Sequence, residues 1–512
     1  MKIEQLIRAL GISERPFSMV QESIKHFPIP LRKSPKVITE GDFLDFKVKG
    51  ISCNSKDVLD GYVFVAIRGN REDGHKFIKE AINKGARVVI IQSTEYRVQS
   101  TEEALFILVK DTRKALATLA TEFYGNPSRK IKVIGITGTN GKTTASYLLE
   151  ELLKKARFLP AVIGTINYRF KDKIIPAKNT TPGPIELQSL LAGMLKEGIN
   201  YCIMEVSSHA LDQERTEGID FHSAIFTNLT QDHLDYHKTL ENYFQAKAKL
   251  FKDISPSSFV VINNDDRYGR RLKRLTCAEV ITYGIKNKAD VVAGDIRFDI
   301  KHTEFRLVSF KGEIDFKTKL IGRHNVYNIL ATVAWALRGG IDLFTIKSAI
   351  EEFSLVPGRL ERIDSDRRFS IFVDYAHTED ALRNIILTLR QLSHKRIIVV
   401  FGCGGERDKT KRPKMGRTVS ELSDYAIITN DNPRSEDPSE IIQDIKKGIR
   451  KRNFCVIPDR LRAIKRALSL AKSGDIVLVA GKGHENYQIL KDRRIHFDDC
   501  ETIRECLKSL NY

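Results

Sequence analysis

At 512 residues the chain has length for about three domains, and its 42% apolar and 29% charged content describes a folded globular protein rather than a disordered or fibrous one. A net charge of +19 favours anionic ligands. The positive residues are nevertheless spread along the chain and not interleaved with aromatics, so nucleotide substrates are expected and nucleic acid is not.

The opening segment, residues 1–17, carries acidic residues and lacks an apolar core with a small-residue cleavage site, so no signal peptide is expected. No run of 18 apolar residues follows, and no membrane span is expected. A first block, 1–111, has strands at Tyr62–Ile67, Ala86–Ile91 and Leu105–Val109 and a helix at Lys76–Ala81. A second, 112–356, alternates strand and helix with strands at 131–136, 201–206, 223–229 and 259–263, then an antiparallel excursion over 291–320. A third, 357–512, begins at Pro357-Gly358 and repeats the α/β pattern with strands near 370–374, 396–401, 425–429 and 475–479. The fold class is α/β: a small N-terminal α/β domain, a central doubly wound sheet of the phosphate-loop ATPase kind, and a C-terminal Rossmann-like domain. Seven cysteines without C-x-x-C pairs favour reduced thiols and a cytoplasmic location.

The strongest local signal is the β-branched run Lys132–Ile136, the loop Thr137-Gly138-Thr139-Asn140-Gly141-Lys142-Thr143-Thr144, and a helical stripe of Ala145, Leu148, Leu149, Leu152 and Leu153. Glycines let backbone N–H groups turn toward a polyphosphate, and the helix N-terminus adds positive potential. Lys142 can reach the outer phosphates, and Thr143 or Thr144 offers a hydroxyl to Mg²⁺. Two residues separate Gly138 from Gly141, so the spacing is not the common G-x-x-x-x-G-K-[ST]. Glu205, in Met204–His209, ends a strand in the same block, where a carboxylate can supply a further Mg²⁺ contact. The loop Asp232–Asp235 after the next strand adds His233 as a candidate ligand.

The segments TGTNGKTT (137–144), NTTP (179–182), MEVSSHALDQER (204–215), FTNLTQDHLDYH (226–237), AKAKLF (246–251), LIGRHNVYN (320–328), VPGRLE (356–361) and DYAHT (374–378) resemble the Mur ligase family, ATP-dependent amide-bond ligases of peptidoglycan precursor synthesis. FGCGGERDKTKRPKMG (401–416), DNPRSEDP (431–438) and GKGHENYQ (481–488) are similar to its diaminopimelate-adding branch. The resemblance runs in order from about residue 50 to 490.

The resemblance implies a carboxylate activated by ATP as an acyl phosphate and then displaced by an amine. It implies that Gly138, Thr139, Asn140, Gly141, Lys142, Thr143 and Thr144 hold the phosphates, that Asn325 binds adenine, and that Arg359 and Asp374 bring the third block over the ATP of the second. Thr143, Glu205, His233 and Lys247 would hold Mg²⁺, with Lys247 carbamylated to N6-carboxylysine, so that Lys142, Lys247 and His233 carry the catalysis. The UDP-N-acetylmuramoyl dipeptide would meet Cys53, Ser55, Asn70, Arg71 and Glu72 at its uridine end, and Asn179, Thr180, Thr181, Ser207, Gln213 and Arg215 along the sugar, diphosphate and peptide. Asn54-Ser55-Lys56 stands where Asp-Ser-Arg is usual, and Glu379 replaces a frequent proline.

The resemblance gives meso-diaminopimelate to Arg407, Asp431, Asn432, Pro433, Arg434, Gly481 and Glu485. Charge explains the choice. Diaminopimelate differs from lysine by a distal carboxylate, onto which Arg407 and Arg434 can fork, while Asp431 and Glu485 accept from its ammonium. Lysine would leave desolvated guanidinium groups unpaired, and sites built around a polar group reject the analogue lacking it by about 10⁴-fold. A monomer with small-molecule partners is expected. The competing readings are a ligase for another amino acid such as lysine, a folylpolyglutamate synthetase, and a nucleic-acid-dependent ATPase. NTTP and DNPR argue against the pterin substrate, and no Walker B acid run supports the ATPase.

Overall fold

The computed structural model describes residues 2–11, 47–69, 72–92, 104–392, 394–491 and 493–509. The chain divides into two compact units, one of residues 1–134 and 159–222 and one of 135–158 and 223–512. Two of the three divisions fall inside the strands Lys132–Thr137 and Phe221–Phe226, and the third lies between the helix Lys142–Lys155 and the strand Pro160–Ile163.

The first unit contains a four-stranded parallel sheet, Gly50–Ser52, Tyr62–Val65, Ala86–Ile91 and Leu105–Leu108, paired in chain order. Both faces are covered, as parallel sheets require. Val63, Val65, Val88 and Ile90 point into one core, and Phe64, Val89 and Ile91 into the other. The helix Thr112–Phe123 starts where Asp111 caps the Arg113 and Lys114 amides. Its Ala115, Leu116 and Leu119 join the first of these cores, so the packed layer extends past residue 111. The helix expected at 76–81 is a 3₁₀ turn, Gly74–Phe77, followed by Ile78–Asn83. Asp73 caps the turn through the His75 amide, a local bond that tightens its start. Elsewhere in this unit Pro160–Ile163 pairs parallel with Tyr201–Glu205 and antiparallel with Asn167–Phe170, which continues into Lys173–Pro176.

In the second unit the parallel strands Phe221–Phe226, Phe259–Asn263 and Glu279–Gly284 continue into the antiparallel ribbon Val291–Phe298, Thr303–Ser309 and Gly312–Thr318, the excursion expected over 291–320. The helix Arg323–Arg338 is buried along most of its length, and the chain's single tryptophan, Trp335, donates to Ser223 Oγ at 2.7 Å. A six-stranded sheet follows, in the order Glu361–Ile363, Ser370–Asp374, Ile476–Ala480, Ile397–Phe401, Tyr425–Ile428 and Phe454–Val456. All of its pairs are parallel except the first. Its central strands are continuous apolar runs because both faces are packed. The strand Ile476–Ala480, late in the chain, is inserted between two earlier ones. Chain order therefore reverses there, and loops at the carboxyl ends of such strands flank a crevice.

Candidate active site

In the second unit the loop after Thr137 is held by backbone, and the glycines are what permit it. Gly138 (φ 148°) and Gly141 (φ 91°) have positive φ, and a Cβ on either would overlap the Thr227 hydroxyl or the Asn328 side-chain oxygen. The segment Thr227–Thr230 braces the loop. Asn228 O accepts from Thr139 N (2.8 Å) and Asn228 Oδ1 from Asn140 N (2.9 Å), while Thr227 Oγ1 donates to Asn140 O (2.6 Å). The helix Lys142–Lys155 then begins with Thr143 and Thr144 buried in its first turn, where N–H groups and the helix dipole favour an anion.

Two lysines meet at this loop. Lys142 Nζ donates to Gly138 O (2.8 Å) and Thr139 O (2.9 Å), and Lys247 Nζ donates to the same Gly138 O at 2.9 Å. Lys247 lies on the helix Leu240–Lys252, is 1% exposed, and sits 4.6 Å from the Tyr243 ring centroid. Burial and the neighbouring Lys142 charge hold its amine well below the ordinary lysine range. A neutral amine is the form that captures CO₂.

Asp232 and His233 lie on the loop before the helix Leu234–His237, with His233 in the left-handed region (φ 54°). His233 Nε2 is 3.4 Å from Asp232 Oδ2. Burial alone would raise the Asp232 carboxyl, yet His233, His377 and Lys411 hold it below the usual carboxylate range. His377 is driven down to about 4 by burial, with the Lys411 charge adding to it. Gln231, Asp232, Thr378, Glu379, Asp380, Asp408, Lys411 and Lys414 line one cleft.

The third block meets the phosphate loop inside this unit. Arg359 Nη2 donates to Thr143 Oγ1 at 3.2 Å, and Asn140 Nδ2 donates to Asp380 Oδ2 at 3.0 Å. Asp380 also accepts from Thr230 Oγ1 (3.1 Å), and burial pushes its carboxyl up. Asp374 accepts from the Leu360 and Ala376 amides; burial raises it to about 6 although Arg359 opposes that shift. Asn325 is buried, donates to Ile321 O (2.9 Å) and accepts from Asn328, whose oxygen lies against Gly141.

Asp431, Asn432, Lys482 and Glu485 come together at the strand ends of the six-stranded sheet through polar contacts, and Pro433, Arg434 and Gly481 lie on the same two loops. Asn432 Nδ2 donates to Glu485 Oε2 (2.8 Å), and buried Lys482 lies 3.7 Å from Asp431 Oδ1 and 3.3 Å from Glu485 Oε2. Arg434 Nη1 donates to Gly405 O, and a Cβ on Gly404 would stand 3.1 Å from the same nitrogen and 3.8 Å from Arg407 Cγ. Arg407 is exposed. Burial, and then Asp431, raise the Glu485 carboxyl. Arg359 Nε, Asp431 Oδ1 and His484 Nδ1 are buried atoms with no hydrogen-bond partner among the described residues. Each such group costs about 1–3 kcal/mol, so a ligand that satisfies them binds with that gain.

In the first unit Thr180, Thr181, Glu205, Ser207, Gln213 and Arg215 form one network. Thr165 donates to Glu205 from its amide (3.1 Å) and hydroxyl (2.9 Å), and its hydroxyl lies 3.1 Å from that of Thr180. Thr181 Oγ1 donates to Glu205 O (2.8 Å) and accepts from Ser207 N (3.0 Å). Arg215 donates to Thr181 O and, twice, to Gln213 Oε1. Asn179 is exposed and accepts through its carbonyl from Tyr168 OH. On the four-stranded sheet Cys53 is exposed, and Ser55 Oγ donates to Glu80 Oε2 at 2.8 Å. Glu72 is exposed and its carbonyl accepts from Gly69 N. Asn70 and Arg71 lie outside the described residues.

Among the described residues no group of three His, Cys, Asp or Glu stands ready to hold a metal. The donors present suit Mg²⁺, which takes one or two protein oxygens and completes its shell from phosphates and water. Asn228, Asp380 and Lys482 do not stand out individually in the sequence, whereas Asp232 lies in the loop 232–235 already singled out there. Asn228 lies in the segment 226–237 and Asp380 two residues beyond DYAHT, so proximity to motifs is the available signal.

Three family models match in chain order: "Mur ligase family, catalytic domain" over residues 47–124, "Mur ligase middle domain" over 136–336, and "Mur ligase, glutamate ligase domain" over 358–483. Among curated relatives, the UDP-N-acetylmuramoyl-L-alanyl-D-glutamate–2,6-diaminopimelate ligase of Clostridium botulinum is 45% identical over 91% of this chain and 96% of its own. The ligase of the same name from Aquifex aeolicus is 46% identical over 91% and 95%. A solved structure of a UDP-N-acetylmuramoyl-L-alanyl-D-glutamate–2,6-diaminopimelate ligase superposes with a TM-score of 0.66 at 33% identity, covering 96% of this chain and 99% of that one.

The loop geometry sets a direct test. Gly138→Ala places a methyl group against Thr227 and should weaken ATP binding by about 10-fold or more, read by calorimetric titration, while circular dichroism stays native. Unchanged affinity would show that the loop does not carry the nucleotide.

Proposed function

The chain belongs to the Mur ligase family, and from that premise we infer that it joins 2,6-diaminopimelate to the D-glutamate of UDP-N-acetylmuramoyl-L-alanyl-D-glutamate, at the expense of ATP, in peptidoglycan precursor synthesis. What carries the reading is the end-to-end likeness to diaminopimelate ligases, supported by a strand-end cluster whose charges suit a zwitterion. The proposed division of labour follows the blocks 1–111, 112–356 and 357–512. The first block with the Thr181–Arg215 network takes the UDP-sugar peptide, the second takes ATP, and the third takes the incoming amino acid.

The glutamyl carboxylate attacks the terminal phosphoryl group, ADP leaves, and an acyl phosphate forms. The amine of diaminopimelate adds to its carbonyl, and the tetrahedral intermediate expels phosphate. Both steps gather negative charge, so fixed cations and dipoles stabilise them more than they stabilise the reactants. Lys142 and the helix N-terminus take the phosphate charge, and Arg359, already 3.2 Å from the Thr143 hydroxyl, is placed to add to it. Mg²⁺, when bound, neutralises charge on the phosphate oxygens, and Thr143, Glu205, His233 and carbamylated Lys247 are its proposed ligands. CO₂ adds to the neutral Lys247 amine with loss of one proton, turning a side chain whose protonated form would repel a cation into a carbamate that attracts one. Asn325 is the proposed adenine contact, and Asp374 fixes the backbone beside Arg359.

At the amino-acid end Arg434 and Arg407 are the proposed partners of the distal carboxylate. Asp431, whose buried Oδ1 has no hydrogen-bond partner among the described residues, and Glu485 are those of the ammonium. Phosphate release should require both the UDP-dipeptide and diaminopimelate, and should be far lower with lysine. Release stimulated by nucleic acid alone would contradict the ligase reading. Arg434→Ala should raise the diaminopimelate KM and shrink the preference over lysine by about 10-fold or more; an unchanged preference would remove Arg434 as the selector.

Lys247→Ala should lose most turnover and regain part of it with added short-chain carboxylates. In the unsubstituted protein, ¹³C-bicarbonate should give a carbamate carbon resonance that this variant lacks. Full activity without rescue, or the same resonance in the variant, would eliminate the carbamate.

A further inference from the structure

The buried pair Arg460–Asp499 has no part in the chemistry proposed above. Both side chains are 0% exposed. Arg460 opens the helix Arg460–Leu470 and Asp499 opens Asp499–Ser509, and the pair is bidentate, with Nε to Oδ1 at 2.8 Å and Nη2 to Oδ2 at 2.7 Å. The remaining donors of the guanidinium point at two main-chain carbonyls, Ala480 O (3.1 Å) and Asn430 O (3.3 Å).

Those carbonyls occupy particular places. Ala480 immediately precedes Gly481, and Asn430 immediately precedes Asp431. Each is thus the last backbone group before one of the two loops given to diaminopimelate. The strands that deliver them, Ile476–Ala480 and Tyr425–Ile428, are not neighbours, because Ile397–Phe401 lies between them in the sheet. No ladder hydrogen bond can set one strand end against the other. Arg460 spans the intervening strand and does so directly, while Asp499 fixes the plane of its fork.

We propose that Arg460 and Asp499 are positioning residues for amino-acid selection, a clamp that fixes the spacing between the Asp431–Arg434 and Gly481–Glu485 loops. This rests on the reading of that cluster as the diaminopimelate site. Stability gives little reason to keep the pair, since replacing a buried ion pair by apolar residues of similar volume is often neutral or stabilising. Geometry does give a reason. Across the two loops Lys482 Nζ lies 3.7 Å from Asp431 Oδ1 and Asn432 Nδ2 donates to Glu485 Oε2 at 2.8 Å, and a shift of about 1 Å between the loops is enough to cost on the order of 10²-fold in a site of fixed charges.

The test compares the unsubstituted enzyme with the double variant Arg460→Met/Asp499→Leu, which keeps the volume and removes both charges, and with Asp499→Asn, which keeps the shape. The double variant should melt close to the parent. Its KM for diaminopimelate should rise about 10- to 100-fold, its preference over lysine should fall, and its KM values for ATP and the UDP-dipeptide should stay within about twofold. Asp499→Asn should show the same split at smaller size, and it carries the test if the double variant does not fold. A folded variant with unaltered diaminopimelate KM and preference overturns the clamp. Equal loss for all three substrates does so too, by marking the pair as structural. Absence of diaminopimelate-dependent turnover in the unsubstituted enzyme would instead overturn the functional reading beneath it.

Discussion

One carbonyl oxygen, that of Gly138, accepts from two lysines, and the chemistry of the second unit is arranged around it. Lys142 and Lys247 are thereby held on one turn of backbone, at a position where no side chain can stand. Burial penalises the Lys247 ammonium, the neighbouring Lys142 charge adds to that, and the cheaper outcome is that Lys247 gives up its proton. The same crowding that makes Lys247 a poor cation makes it a good nucleophile toward CO₂. The loop therefore offers one permanent positive charge and one amine open to conversion, an arrangement suited to an anion and a divalent cation lying side by side.

The six-stranded sheet is proposed to serve a different task, selectivity for a small zwitterion. Apolar strands buried on both faces are rigid, and their carboxyl ends present short loops with charged side chains. Inserting Ile476–Ala480 between strands that precede it in the chain brings the Gly481–Glu485 loop toward Asp431–Arg434. Buried Lys482 balances part of the carboxylate charge there, leaving a net demand for one ammonium. On the proposed reading, selectivity arises from unpaired groups when the wrong amino acid binds, and not from the size of a pocket.

Much of the fold was legible in the sequence because the informative features are local. The β-branched runs became strands in all three blocks, and the change of alternation after residue 290 became the antiparallel ribbon. The glycine loop was readable as a candidate nucleotide site because closely spaced glycines between a β-branched run and an apolar helical stripe seldom occur outside such sites. Less legible were strands with no distinctive pattern. Lys173–Pro176 is exposed throughout, and Phe454–Val456 is only three residues long, so neither carries a burial period. The site residues hidden from a linear reading act through distance in the chain. Asn140 and Asp380 are 240 residues apart and Arg460 and Asp499 are 39 apart, so no spacing rule reveals either contact. Ser55 shows the reverse case: the motif was visible, but its hydroxyl is engaged by Glu80, a partner that only the folded chain supplies.

Transfer of an oxygen from the glutamyl carboxylate to the terminal phosphoryl group is the event that the lysines, the loop amides and Arg359 are proposed to serve. The most direct measurement uses UDP-dipeptide labelled with oxygen-18 in the glutamyl carboxylate and follows the label by ³¹P resonance after one turnover with ATP and diaminopimelate. An acyl-phosphate route predicts one labelled oxygen in the released phosphate and ADP as the nucleotide product. Label recovered in AMP, or lost to water with unlabelled phosphate, would contradict it.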